Sequence, residues 1–120
     1  MNKLLFIILI LVFCSCTHEY DPNLRGQWQL KTRTIYGIIY PVDTVFYAFD
    51  NRIVCIRERI TPLECKELFM EFTQINDSLI IVSVDDTAKI KPSERYKIEE
   101  ITSTKLRLTD AVGELVFRKF

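Results

Sequence analysis

From Leu24 onward, apolar and polar side chains alternate in short runs separated by turn residues, with little sign of a 3.6-residue period. Successive side chains on a strand point to opposite faces, so such runs read as antiparallel strands covering a core. Trp28 and Leu30 share one face, with Gln27, Gln29 and Lys31 on the other. Gly37 and Pro41 bracket a connection. Val45 to Phe49 is aromatic and β-branched, Asp50-Asn51 signals a turn, and Ile53 to Ile56 reads as the returning strand. Leu68, Met70 and Phe72 alternate with Glu67, Phe69 and Glu71, and Asn76-Asp77 precedes the run Leu79 to Val84. In the last third, Tyr96 and Ile98, Leu106 and Leu108, and Leu115 and Phe117 each alternate with mostly polar neighbours.

Two segments are less regular. Thr61-Pro62-Leu63-Glu64 carries a helix-start pattern, glutamate three residues after threonine, but the alternation that follows favours a turn and then a strand. Asp85 to Glu94 is polar, contains Pro92 and reads as the longest loop. About eight strands result, linked by connections too short for crossovers. The expected fold is all-β: an eight-stranded antiparallel up-and-down barrel over residues 24–120, whose closure pairs the strand edges.

The start of the chain has a different character. Lys3 precedes ten unbroken apolar residues, Leu4 to Phe13, and then Cys14-Ser15-Cys16. A basic start, a short apolar run and a small residue before a cysteine predict an export signal with a lipoprotein-type cleavage site. The run is about half the roughly 20 residues that span a bilayer as a helix. Residues 1–15 are therefore expected to be a lipoprotein signal peptide and Cys16 the acylated residue, carrying palmitate-like chains. Residues 16–23 form a tether. The expected location is a bacterial cell envelope, with the anchor in the outer membrane facing the periplasm. Glu19 and Asp21 leave surface display open without forming a dense acidic run.

The formal net charge is zero. Losing Lys3 with the signal brings the mature chain to about −1, so the basic stripe of a nucleic-acid binder is missing. Of four cysteines, Cys55 and Cys65 remain in the domain. In an oxidising envelope an even pair reads first as a disulfide, two free thiols being the alternative.

Leu24-Arg25-Gly26-Gln27-Trp28-Gln29-Leu30 resembles the Gly-x-Trp motif that opens the first strand of lipocalin-like and other calycin barrels, with Gly26 and Trp28 at the matching spacing. The chain is similar to the small lipocalin-like lipoproteins of Gram-negative bacteria, many without an assigned function. The resemblance implies that Trp28 packs across the barrel floor and that Gly26 permits the bend entering the strand. The chain is shorter than a full lipocalin, and no helix pattern follows its last predicted strand. A barrel with short strands can fill its interior with its own side chains.

Candidate chemistry is sparse. His18, the only histidine, sits in the tether, which cannot hold an imidazole within about 3 Å of catalytic partners. Asp85-Asp86 lacks the ligand series of a calcium loop. Glu99 and Glu100, as neighbours on a strand, are expected on opposite faces. Two cysteines without a nearby histidine do not complete a zinc site, and three scattered glycines make no phosphate loop. No enzyme activity, metal or cofactor is expected. The best candidate is the segment Tyr36 to Pro41, an apolar connection expected to overhang an open barrel end, as a lid or a contact surface. Tyr36, Ile38, Ile39 and Tyr40, with Tyr47 and Phe69 from neighbouring strands, are the expected ligand contacts. The expected function is an envelope binding module for a small apolar molecule or a peptide. The alternative is a protein-interaction module, such as a hydrolase inhibitor or an assembly partner, with a solid core.

Overall fold

The computed structural model describes residues 20–83 and 93–120. Cys16 and the segment before it lie outside the described residues, as do His18, Glu19, Asp85 and Asp86. Among the described residues nine strands follow a 3-10 turn, Pro22–Leu24: β1 (Gly26–Ile35), β2 (Ile38–Pro41), β3 (Val45–Asp50), β4 (Ile53–Thr61), β5 (Glu64–Ile75), β6 (Ser78–Ser83), β7 (Ser93–Ile101), β8 (Lys105–Thr109) and β9 (Gly113–Lys119). Each of β3 to β8 pairs antiparallel with the next, and β1 joins both β3 and β9, closing an eight-stranded barrel. β2 is a short extra strand beside the upper half of β1, paired from Thr32 opposite Pro41 to Ile35 opposite Ile38.

The segment expected to overhang the barrel as a loop is therefore a hairpin. Tyr36 and Gly37 form its two-residue turn, both with positive φ (48° and 82°), the backbone shape that matches the twist of paired strands. Thr61-Pro62-Leu63-Glu64 resolves the same way. Pro62 and Leu63 form a turn between Thr61 and its partner Glu64, and the Thr61 hydroxyl accepts from the backbone N–H groups of Leu63 and Glu64.

The interior follows the alternation in the sequence. Trp28, Leu30, Phe49, Val54, Leu79, Ile81, Leu106, Leu108 and Phe117 are almost completely buried. Aromatic rings run down the barrel edge to face, Tyr47 on Phe117 (4.9 Å between centroids), Phe49 on Phe72 (5.1 Å) and Phe72 on Tyr20 (5.1 Å). Below its upper rim the barrel is thus filled by its own side chains. One end is closed by the N-terminal residues. The indole N–H of Trp28 donates to the Leu24 carbonyl at 2.8 Å, satisfying the one polar atom of a fully buried side chain. Lys119 lies over the indole face, 4.5 Å from the ring centroid, and donates to the Arg25 carbonyl. Gly26 has φ 120°, where a side chain is strained, and a Cβ there would collide with Lys119.

Two bulges change the alternation. Between Leu30 and Thr32 the register with β9 slips by one residue, so Arg33, opposite Leu115, faces the same side as Leu30, opposite Phe117. A second slip lies between Ile98 and Glu100 on β7. It corrects the expectation for the adjacent acids. Ile98 and Ile101 both face inward, opposite Leu108 and Leu106, so Glu99 and Glu100 both lie on the outer side. There Glu99 accepts from the Thr109 hydroxyl at 3.0 Å, and Glu100 sits 3.5 Å from Lys105 and 3.7 Å from Arg107.

The two cysteines of the domain are free thiols, which corrects the expected bridge. They share one face of the β4–β5 ribbon, but Cys55 lies opposite Phe69 whereas Cys65 lies opposite Arg59. Four residues of offset amount to about 13 Å along the strand, beyond the reach of a disulfide.

Candidate functional site

β1 climbs from the closed end to the open one, where the β1–β2 turn and the β8–β9 turn meet. The Tyr36 backbone N–H donates to the Val112 carbonyl at 2.8 Å, tying the β1–β2 turn to the β8–β9 turn. Gly113 makes this closeness possible, because a Cβ there would stand 1.6 Å from the Thr34 carbonyl oxygen. Asp110 accepts from the backbone N–H groups of Val112 and Gly113 at 2.9 and 2.8 Å, so its carboxylate is used to shape the turn.

Within this rim lies a recess of about 280 Å³. Its apolar floor includes Leu108 and Leu115, and its polar lining includes Arg33, Tyr47, Glu94 and Tyr96, with Asp110 and Glu114 beside them. The bulge in β1 is what brings Arg33 here. Without that slip the side chain would face outward with Gln29. Tyr96 donates its hydroxyl to Glu94 Oε2 at 2.7 Å. The Tyr47 ring is buried, yet its hydroxyl makes no hydrogen bond among the described residues, and Arg33 has no ion-pair partner there. Burial pushes the Tyr47 phenol up to about 12, the Glu94 carboxylate adds to the rise and Arg33 opposes it. Burial also raises Tyr96, with its hydrogen bond to Glu94 next in effect. Both phenols are neutral donors at ordinary pH. The recess thus offers a guanidinium and a free hydroxyl above an apolar floor.

The six side chains expected to meet one ligand are divided by the structure. Tyr47 lines the recess from inside the barrel. Ile38 and Tyr40 pair with Ile35 and Arg33, so the register sets them on the recess side of the hairpin. Ile39 pairs with Thr34 on the opposite side. Tyr36 stands at the turn, 79% exposed. Phe69, opposite Cys55 on the outer face of β5, does not belong to the site. Arg33, Glu94 and Tyr96 are site residues that the sequence reading did not find. Simple alternation from Trp28 puts Arg33 outside, and no glycine or proline marks the bulge.

The β4–β5 ribbon continues past the barrel wall. Ile60, Leu63, Leu68 and Phe69 are exposed on it, Leu63 at the tip almost fully. Among the described residues no group of three or more histidine, cysteine or acidic side chains is placed to hold a metal ion.

Two solved structures share this architecture. A lipocalin-like protein from Bacteroides uniformis superposes with a TM-score of 0.74 at 23% identity, over 82% of this chain and 99% of that one. An uncharacterized protein from Bacteroides eggerthii gives a TM-score of 0.74 at 20% identity, over 81% and 99%. No curated protein matches the chain. Lipocalin-like families are generally binding proteins, and their barrels can hold small ligands. The family model for the lipocalin-like domain matches residues 9–120, and with the Gly26–Trp28 pair at the barrel floor and the closed eight-stranded sheet above it, the chain belongs to that family.

Proposed function

We propose that this protein is a binding module of the cell envelope that takes a small, largely apolar molecule at the open end of its barrel. One observation carries the reading. Arg33, turned inward by the β1 bulge, meets the unpartnered Tyr47 hydroxyl above the apolar floor of the recess. A ligand fitting there lays its apolar body on Leu108 and Leu115 and its polar end against Arg33 and Tyr47. Ile38 and Tyr40 extend the wall above it, and Tyr36 stands on the rim. The filled interior limits the ligand to the mouth, so a molecule of fragment size suits it better than a long chain.

The attachment belongs to the same proposal. Acylation of Cys16 would hold the module to the membrane, since several acyl chains at roughly 0.8 kcal/mol per buried methylene anchor firmly. Tyr20 packs on Phe72 at the closed end, so a tether arriving there would leave the open end facing away from the bilayer. A Cys16→Ser variant that still incorporates labelled palmitate would refute this attachment.

Native mass spectrometry of the protein, gently purified from envelope membranes, tests the binding role. A bound small molecule that disappears in Arg33→Ala supports it. A ligand-free spectrum together with a specific protein partner would replace it with the interaction reading. The projecting β4–β5 ribbon, with Leu63 98% exposed at its tip, is the observation that favours that second reading.

A further inference from the structure

A second concave surface lies on the outside of the barrel, away from the mouth. It is a groove of about 250 Å³ across β1, β3, β4 and β5. Its floor is apolar, made of Ala48 and of Phe46 packed edge to face on Phe120 at 5.2 Å. One end is the cross-strand row Gln27, Ala48 and Cys55. The other is Arg59 opposite Cys65, four residues further along β4 and about 13 Å away. Between them Arg57 is neutralised by Glu67, whose Oε1 lies 3.0 Å from its Nη2. Arg59 has no ion-pair partner among the described residues. The groove is thus an elongated apolar trough with one uncompensated guanidinium at one end.

We infer that this outer groove is a binding site for an amphipathic carboxylate, its chain along Phe46 and Phe120 and its head on Arg59. The complementarity is specific in sign. A planar guanidinium takes a carboxylate through two parallel hydrogen bonds, and a cationic head group would be repelled by Arg59. An uncharged head would leave Arg59 as it is in the free protein and gain only the apolar contact. The site is independent of the mouth, because its residues point out of the barrel wall.

Cys55 and Cys65 line the groove as free thiols, so they report its occupancy. The test measures the alkylation rate of each cysteine by iodoacetamide, resolved by peptide mass spectrometry, with octanoate, octylamine or octanol added to the full chain. Octanoate is expected to slow both cysteines at concentrations where octylamine does not. In Arg59→Ala and Arg59→Gln the octanoate concentration giving half protection is expected to rise about tenfold. Equal protection by octanoate and octylamine, or no protection by octanoate, overturns the assignment in the unaltered protein, whatever the variants do. Unchanged half protection in both variants overturns it as well. The neutral probe N-phenylnaphthylamine separates the two sites, since octanoate that displaces it from the mouth without slowing either thiol binds the mouth alone and overturns the groove assignment. Failure of that probe to bind speaks only against the mouth reading and leaves the thiol result standing.

Discussion

At the closed end of the barrel Trp28 is fully buried, its indole N–H is bonded to Leu24, and Lys119 covers its face. At the open end Tyr47 is almost as buried, but its hydroxyl makes no hydrogen bond among the described residues, and Arg33 is brought inward by a backbone irregularity. The same strands run through both ends. What differs is how the inward positions are used. At the floor each one completes packing, and the indole N–H of Trp28 is satisfied within the chain. At the mouth, polar groups are drawn in and left open, and Tyr36 is held in a left-handed conformation that disfavours an ordinary side chain. On the proposed function, stability is concentrated at one end and recognition at the other, as expected where a rigid scaffold carries a site on its rim.

The sharpest way to break this contrast is to truncate both ends. Trp28→Ala is expected to cost about 3–5 kcal/mol in urea unfolding, the penalty of emptying a close-packed position. Tyr36→Ala, on an exposed side chain, is expected to stay within about 0.5 kcal/mol. Similar losses at the two positions would erase the distinction.

Alkaline pH addresses the mouth through Tyr47. Tyr47 keeps its proton in the folded chain until about pH 12, whereas the unfolded chain releases it near 10. Its contribution is therefore complete below pH 10 and falls as the pH rises to 12, by about 3 kcal/mol. Denaturation midpoints measured across that window should drop more steeply in the native protein than in Tyr47→Phe. Parallel curves would show that the phenol is not shielded as described.

The smallest effect concerns the rim. Asparagine tolerates the left-handed conformation better than tyrosine, so Tyr36→Asn is expected to raise stability by about 0.5–1 kcal/mol while weakening ligand binding at the mouth. A gain in stability with undiminished binding would remove Tyr36 from the site.

Much of the barrel was legible in the sequence because burial on one face imposes period two. Met70 and Phe72, Leu106 and Leu108, and Leu115 and Phe117 point inward as their spacing requires. Gly26 and Trp28 sit where the motif implied. The site was less legible. Ile38 to Pro41 is too short and too uniformly apolar to separate a paired strand from a loop. Leu68 continues the alternation of β5 yet is exposed, because the strand has left the barrel wall by that point. The bulges at Lys31 and Glu99 carry no glycine or proline, so the inward turn of Arg33 and the shared outer side of Glu99 and Glu100 depend on pairing with distant strands. The cysteine pair failed for the same reason: separation along the chain does not give the register across β4 and β5.

A titration with N-phenylnaphthylamine, followed by backbone amide NMR, tests most directly whether binding belongs to the open end. Shifts confined to Arg33 to Tyr40, Tyr96 and Gly113 to Leu115, with Leu24 to Gly26 and Phe49 at the closed end unmoved, are the expected result. Saturable shifts centred on the Trp28 end of the barrel, or none at the rim, would contradict it.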